Sequence, residues 1–416
     1  MEERSNHLKN ELSYRGDGKV GVFQKIFAPP HYSSLLYKNK VFAGWEKPRM
    51  EPHFMDFSSS ARLALIAPTG GGKSFVGRGI MDRVAKFSAV AVMCDIKDEF
   101  YTSERPVQEQ FEKLLGEGEH PTGLPIRVFT PRFLKIAREK QGKPTRGESL
   151  QFSLMDLDAP DIMTFLGVEP NEITKMTLIE TIHDKIRTGE FHTVEEIIEY
   201  INETDIPPPM KMNMRFALKR LVDSGVIGEE SEGNTFVEAL IAGQIPVLNL
   251  KGYEDVNEHW AKAYVGILTR HIKQAKENGL IRKPLYLYYP ETPRFVPANG
   301  NPCCKEEIFK IAEVGRQLGI SMFFEMQSVL RVDPNILKQC KYIYIHSRLH
   351  DDEKKIILKA CGLYEYQDYM YNVWTNFFGK LKQHDWCLIA VNTHEYWALK
   401  VPAPLSAHCL ESRWQR

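Results

Sequence analysis

Short, unbroken apolar runs alternate along this chain with longer stretches in which apolar residues return every three or four positions. The runs at 63–66, 89–94 and 285–289 are apolar at every position, and those at 126–130, 245–250, 320–326 and 341–345 are mostly apolar. A strand with one wet face alternates instead, so these runs predict strands covered on both faces, as in a parallel sheet. Segments 75–87, 257–278 and 308–318 have helical spacing. Between the runs at 126–130 and 245–250 lies a helical region. Its periodic segments at 161–166, 172–187, 193–202 and 210–224 are punctuated by Gly167, Gly189 and the prolines at 207, 208 and 209. A charged helix is expected ahead of 126–130. The basic stretch 132–146, with Gly142 and Pro144, reads as an exposed loop. Near the end, 386–391 and 395–399 read as a β-hairpin. Strands alternating with helices predict an α/β fold: a mainly parallel sheet with helices on both faces, plus a helical insertion.

The same pattern divides the chain. Residues 1–60 hold a polar head (1–16), a run at 20–27 and an aromatic, proline-rich stretch through Pro52; they read as an N-terminal arm or a small β element. Residues 61–149 and 241–405 read as the two parts of one core, 150–240 as the insertion and 406–416 as a tail. No apolar run approaches the ~18 residues of a membrane span, and the charged start is unlike a secretion signal. The chain is expected to be soluble and cytoplasmic, or in a virion if viral.

Composition adds constraints. Lys plus Arg and Asp plus Glu number 54 each, for a formal net charge of zero. A broad basic face for nucleic acid normally makes a chain basic; neutrality argues against such a face and leaves a narrow channel open. On 210–224, Lys211, Arg215 and Lys219 share one helix face, as either a solvated surface or a DNA contact. The seven cysteines, Cys94, Cys303, Cys304, Cys340, Cys361, Cys387 and Cys409, include no C-x-x-C pair. They fit buried thiols in a reducing compartment better than disulfides or a zinc site.

The strongest chemical signal is Ala67-Pro68-Thr69-Gly70-Gly71-Gly72-Lys73-Ser74. It lies between a predicted strand and a predicted helix, the context a phosphate-binding loop needs. Glycines let backbone N–H groups fold around phosphate oxygens, and the helix N-terminus adds partial positive charge. Thr69, Gly70, Gly71, Gly72, Lys73 and Ser74 are therefore the candidate ATP-binding residues, with Lys73 for the outer phosphates and Ser74 for Mg2+. The run at 285–289 ends in Pro290-Glu291. Such strands normally close with Asp-Glu, the aspartate supporting the ion and the glutamate polarising water. Here Pro290 replaces the aspartate, Glu291 keeps the water-activating place, and Asp95, closing the run at 89–94, could supply the missing carboxylate.

The order of these motifs resembles the HerA/FtsK superfamily of DNA-translocating ATPases, with HerA-like proteins most similar. The likeness spans roughly 60–405. It includes the phosphate loop, the segment from Asp95 to Phe100, Pro290-Glu291, Gly315-Arg316-Gln317-Leu318-Gly319-Ile320 and Met326-Gln327-Ser328. The resemblance implies a P-loop NTPase core of RecA-like type. It implies that Gln327 senses the γ-phosphate and that Arg316 reaches the nucleotide of the next subunit, with Arg62 and Arg348 as weaker candidates. Glu99 either assists Glu291 or caps a helix. Implied partners are double-stranded DNA, further copies in a homohexameric ring, and a nuclease or a viral capsid or portal component. The loop 296–307, with Lys305 its cation, is the candidate channel element. The alternative is a ring member that binds ATP and, lacking the aspartate at 290, hydrolyses it weakly.

Overall fold

A computed structural model describes residues 39–168, 172–228, 235–362, 369–382 and 385–407. The polar head, the run at 20–27, Cys409 and most of the tail lie outside them. The strands are β1 (Lys40–Glu46), β2 (Glu51–Asp56), β3 (Arg62–Ile66), β4 (Ala89–Asp95), β5 (Ile126–Pro131), β6 (Glu148–Leu150), β7 (Ile245–Asn249), β8 (Leu285–Tyr289), β9 (Ile320–Met326), β10 (Tyr342–His346), β11 (Trp386–Ala390) and β12 (Glu395–Lys400). They form one twelve-stranded sheet in the order β2-β1-β12-β11-β10-β3-β9-β8-β4-β7-β5-β6. From β10 to β6 every pairing is parallel. The edge from β11 to β2 is antiparallel.

The helices are α1 (Lys73–Val84), α2 (Arg132–Lys140), α3 (Ala159–Leu166), α4 (Ile173–Arg187), α5 (Val194–Glu203), α6 (Pro208–Asp223), α7 (Thr235–Ile241), α8 (Glu258–Glu277), α9 (Cys303–Leu318), α10 (Pro334–Lys338), α11 (Asp351–Ala360) and α12 (Tyr369–Lys380). Successive residues of the central strands feed opposite faces of the sheet. Leu63, Leu65, Val90, Val92, Tyr286 and Tyr288 join Val76, Ile80 and Val84 of α1. Ala64, Ile66, Ala91, Met93, Leu285 and Leu287 pack on the other side with residues of α8 and α9. Both faces are covered, which is why these runs lack alternation.

The structure departs from the sequence expectations in three places. Residues 132–140 form α2 rather than a loop, because Phe133 and Leu134 are buried under the sheet edge while Arg132 and Lys140 stay exposed. The expected charged helix before β5 is two short 3-10 turns, Phe100–Glu104 and Glu109–Leu114. Helix α9 starts at Cys303, which takes Lys305 out of the expected loop. There Lys305 is buried, paired with Asp333 at 2.9 Å and donating to the carbonyls of Pro297 and Gly300. It is a structural cation and not a channel contact.

A polar staple fastens α1 from behind. Asp82, 1% exposed, accepts the backbone N–H groups of Leu405 and Ser406 at 2.7 and 2.8 Å and the Ser406 hydroxyl at 2.9 Å. Arg78 donates to the carbonyl of Ala407 at 2.7 Å, and Arg83 to that of Ala403 at 3.1 Å. A buried donor left without an acceptor costs about 1–3 kcal/mol. Asp82→Ala is therefore expected to lower unfolding free energy by about 2–4 kcal/mol in denaturant titration. A midpoint unchanged from the parent protein rules out the staple.

Candidate nucleotide site

Strand β3 delivers the chain into the phosphate loop at the centre of the sheet. Gly70 and Gly72 have φ of 76° and 84°, a region open to glycine and unfavourable for other residues. At Gly71 a Cβ would come within 3.0 Å of the Pro68 carbonyl oxygen. The Ala67 N–H donates to the Met326 carbonyl at 3.2 Å, tying the loop to β9. No side chain caps α1, so the amides of its first turn face the loop, the arrangement that favours an anion.

Lys73 opens α1 and is buried; Ser74, next to it, is half-buried. The Lys73 ammonium sits 3.4 Å from the Pro68 carbonyl oxygen, a long contact that leaves it loosely held. Burial holds Lys73 below the ordinary lysine value, against the pull of the Glu325 and Glu291 carboxylates; Lys97 adds to the depression.

Glu291 follows β8 with φ of 58°. A non-glycine residue in that region costs about 1–3 kcal/mol, and such strain gathers at functional sites. The Glu291 carboxylate is buried and meets the Lys97 ammonium at 2.7 Å. The Gln327 Nε2 donor lies 3.4 Å from each of its oxygens, and the Gln327 carbonyl oxygen accepts the Thr69 hydroxyl at 3.1 Å. A continuous polar chain thus runs Lys97, Glu291, Gln327, Thr69, from the end of β8 to the loop. Burial opposes the charge on Lys97, but its hydrogen bond and attraction to Glu291, with Glu325 and Glu99 behind, carry it above the usual lysine value.

Asp95 closes β4, and its carboxylate is engaged by the backbone of the segment that follows it. One oxygen accepts the Lys97 N–H at 3.2 Å; the other accepts the Glu99 and Phe100 N–H groups at 2.9 and 3.0 Å. Burial pushes its carboxyl up to about 6, with the Phe100 amide working the other way. Glu99 contributes its carbonyl to Arg78 at 3.1 Å.

The arginines lie apart from the loop. Arg316 is exposed in the last turn of α9, and its carbonyl accepts the Ser60 hydroxyl. Arg62 begins β3, at the opposite end of that strand from the loop. It donates to the Glu313 carbonyl at 3.5 Å, its Nε is buried without a partner, and burial and then Arg316 depress its guanidinium. Lys341, held by the Asp56 carbonyl at 2.9 Å, is depressed by burial and by Arg316 as well. Arg348 is exposed beyond β10. Lys73, Glu291, Gln327 and Thr69 therefore converge, whereas Arg316 and Arg62 form a cationic group at the other end of the sheet.

Glu325, which the sequence reading passed over, lies beneath the loop at 2% exposure. It accepts the Tyr288 hydroxyl. Burial raises its carboxyl, against Tyr288 and Lys73, while Glu291 pushes the same way as burial. Helix α1 leaves space for this pair: a Cβ on Gly77 would stand 2.1 Å from the Tyr288 hydroxyl. The signal was present, since Glu325 is the one charge in the run 320–326.

Among the described residues no group of three or more His, Cys, Asp and Glu could hold a metal by itself, and no helix is long and apolar enough to cross a membrane. The oxygen donors at the site suit a hard cation held mainly by substrate phosphates, which is how Mg2+ is usually bound.

The family model described as "Helicase HerA, central domain" matches residues 58–272. The DNA double-strand break repair helicase HerA of Saccharolobus solfataricus is 23% identical over 322 residues, covering 74% of this chain. The chain spans 58% of that relative's length. VirB4 of Thermoanaerobacter pseudethanolicus superposes with a TM-score of 0.56 at 13% identity, over 87% of this chain and 96% of that one. The bacterial conjugative coupling protein TrwB (its deltaN70 form) gives 0.50 at 10% identity, over 89% and 91%. At those identities the likeness establishes a shared P-loop NTPase fold.

Proposed function

Because the chain belongs to the family defined by the central domain of the helicase HerA, we propose that it is an ATP hydrolase that drives double-stranded DNA through a homohexameric ring. The observation that carries this reading is the polar chain Lys97–Glu291–Gln327–Thr69 beside the uncapped start of α1 and the loosely held Lys73. Phosphoryl transfer requires charge compensation on the phosphate oxygens and a group that orients water. Lys73 and the loop amides compensate the β- and γ-phosphates. Glu291 orients the attacking water and takes up its proton. Gln327 bridges Glu291 and the loop, so a γ-phosphate touching it alters the contact to the water-activating carboxylate. The Ser74 hydroxyl would hold Mg2+, which would supply charge neutralisation when bound.

Arg316 completes the pocket of an adjoining copy. Its exposure and its place away from its own phosphate loop support that role. A guanidinium suits it, being always charged and able to grip phosphate with two parallel donors. Contact with DNA through phosphates is electrostatic and indifferent to base sequence.

Lys73→Ala is expected to weaken ATP binding by about 10- to 100-fold, the worth of a charge-assisted contact, as read by fluorescence titration. Unaltered affinity removes Lys73 from the site. ATP turnover with and without linear double-stranded DNA, alongside particle mass by light scattering, tests the motor; turnover indifferent to DNA, or a monomeric active species, overturns it. Co-purification with a capsid or portal component assigns the motor to packaging, and with a nuclease to end processing.

Pro290 favours a second reading, a subunit that binds ATP tightly and turns it over poorly. That reading depends on no other carboxylate standing where the aspartate is absent.

A further inference from the structure

The register of the central strands bears on that missing carboxylate. Strands β8 and β9 are parallel, with Tyr288 beside Phe323 and Tyr289 beside Phe324. One step further along this ladder, Pro290 is level with Glu325. On its other side, Glu325 pairs with Leu65, the next-to-last residue of the strand that leads into the phosphate loop. Strand alternation puts Glu325 on the face of Phe323, whose ring stacks on Tyr288 with centroids 4.5 Å apart. An aspartate at 290 would alternate onto that same face, two residues after Tyr288.

We infer that Glu325 supplies, from β9, the magnesium-supporting carboxylate that Pro290 removes from β8. The side chain has what the task requires. It is buried beneath the loop, anchored on the Tyr288 hydroxyl, and close enough to Lys73 and Glu291 for each to bias its charge. The hydroxyl fixes the carboxylate's orientation, as outer-sphere partners of a bound ion do. Asp95 is already occupied by three backbone amides across both oxygens, so it does not compete for the role. Gly77 preserves the arrangement, since any side chain there would displace the Tyr288 hydroxyl. The inference rests on the nucleotide site proposed above, and with it Pro290 no longer implies a decayed site.

The test separates the ion from the nucleotide. A fluorescent N-methylanthraniloyl ATP is titrated into the full chain in excess MgCl2 and in excess EDTA. The parent protein is expected to bind more tightly with Mg2+. Glu325→Gln keeps the shape and an acceptor for Tyr288, and is expected to lose about 10- to 100-fold of that gain while binding in EDTA at least as tightly as the parent, since a negative charge near the phosphates is gone. Adding Pro290→Asp to Glu325→Gln is expected to restore the gain, because the two positions are neighbours at the ends of adjacent strands. If Glu325→Gln keeps the full gain, or the double variant is as deficient as the single one, the inference is overturned while the nucleotide site stands. Affinity of Lys73→Ala equal to the parent's under both conditions removes the nucleotide site itself. Should Glu325→Gln not fold, Glu325→Asp is read the same way: the retracted carboxylate loses part of the gain, and an undiminished gain overturns the inference.

Discussion

Arg316→Ala is expected to reduce steady-state ATP turnover by about 10³-fold or more, the effect of withdrawing an arginine supplied to a phosphoryl-transfer site from outside. The same variant should bind nucleotide nearly as well as the parent, because Arg316 lies away from its own phosphate loop, exposed in the last turn of α9. That separation allows a sharper experiment. Subunits carrying Arg316→Ala keep a complete phosphate cradle; subunits carrying Lys73→Ala keep a competent arginine. Each preparation alone should be nearly inactive. Mixed before assembly, they create boundaries where an intact cradle faces an intact arginine, and part of the turnover returns. Mixed preparations that stay dead, although mass measurements show joint rings, would falsify the assignment. Arg62, which begins β3 beside Arg316, shares this cationic patch. Substituting Arg62 should lower turnover less, because its Nη2 is engaged with the Glu313 carbonyl.

Glu291→Gln should lower the chemical step by about 10²- to 10⁴-fold, the usual contribution of a positioned proton acceptor. The amide keeps the length of the side chain and accepts from Lys97 and Gln327 through its oxygen. What it loses is the charge that draws Lys97 to 2.7 Å and the capacity to take a proton from water. Binding of ATP should survive or tighten, since a negative charge near the phosphates is gone. Single-turnover phosphate release separates the outcomes: slow release from a saturated complex supports the role, and release within tenfold of the parent rate removes it. The backbone at Glu291 is left-handed with φ of 58°, and the Gln variant carries the same strain. A loss of rate in it therefore reflects side-chain chemistry.

Much of the core was legible because a strand buried on both faces leaves a solid apolar run. The phosphate loop was legible for a related reason: its glycines and Lys73 stand at fixed offsets from the end of such a run. Glu291 and Gln327 were proposed by the same logic, each following a strand end. Residues that act through distant neighbours were harder to find. Lys97 looks like an ordinary surface lysine until β8 places Glu291 against it. Glu325 interrupts an apolar run, but its partners Tyr288 and Lys73 are 37 and more than two hundred positions away. Lys305 failed as an expectation for the opposite reason. Its local sequence resembles an exposed loop, while Asp333 and the carbonyls of Pro297 and Gly300 enclose it. Arg316 stood out only through the family likeness, since one arginine near the end of an amphipathic helix carries no local mark.

The staple behind α1 has a consequence for how the chain is made. Arg78 and the Ala407 carbonyl that it grips are 329 residues apart, so the helix bearing Lys73 and Ser74 emerges from the ribosome long before its anchor exists. Contacts of such separation form late, and large chains fold through partly assembled intermediates. The proposed nucleotide pocket should therefore mature last, after translation has passed Ala407. A newborn chain is expected to lack the proposed nucleotide pocket until nearly all of its sheet has been made.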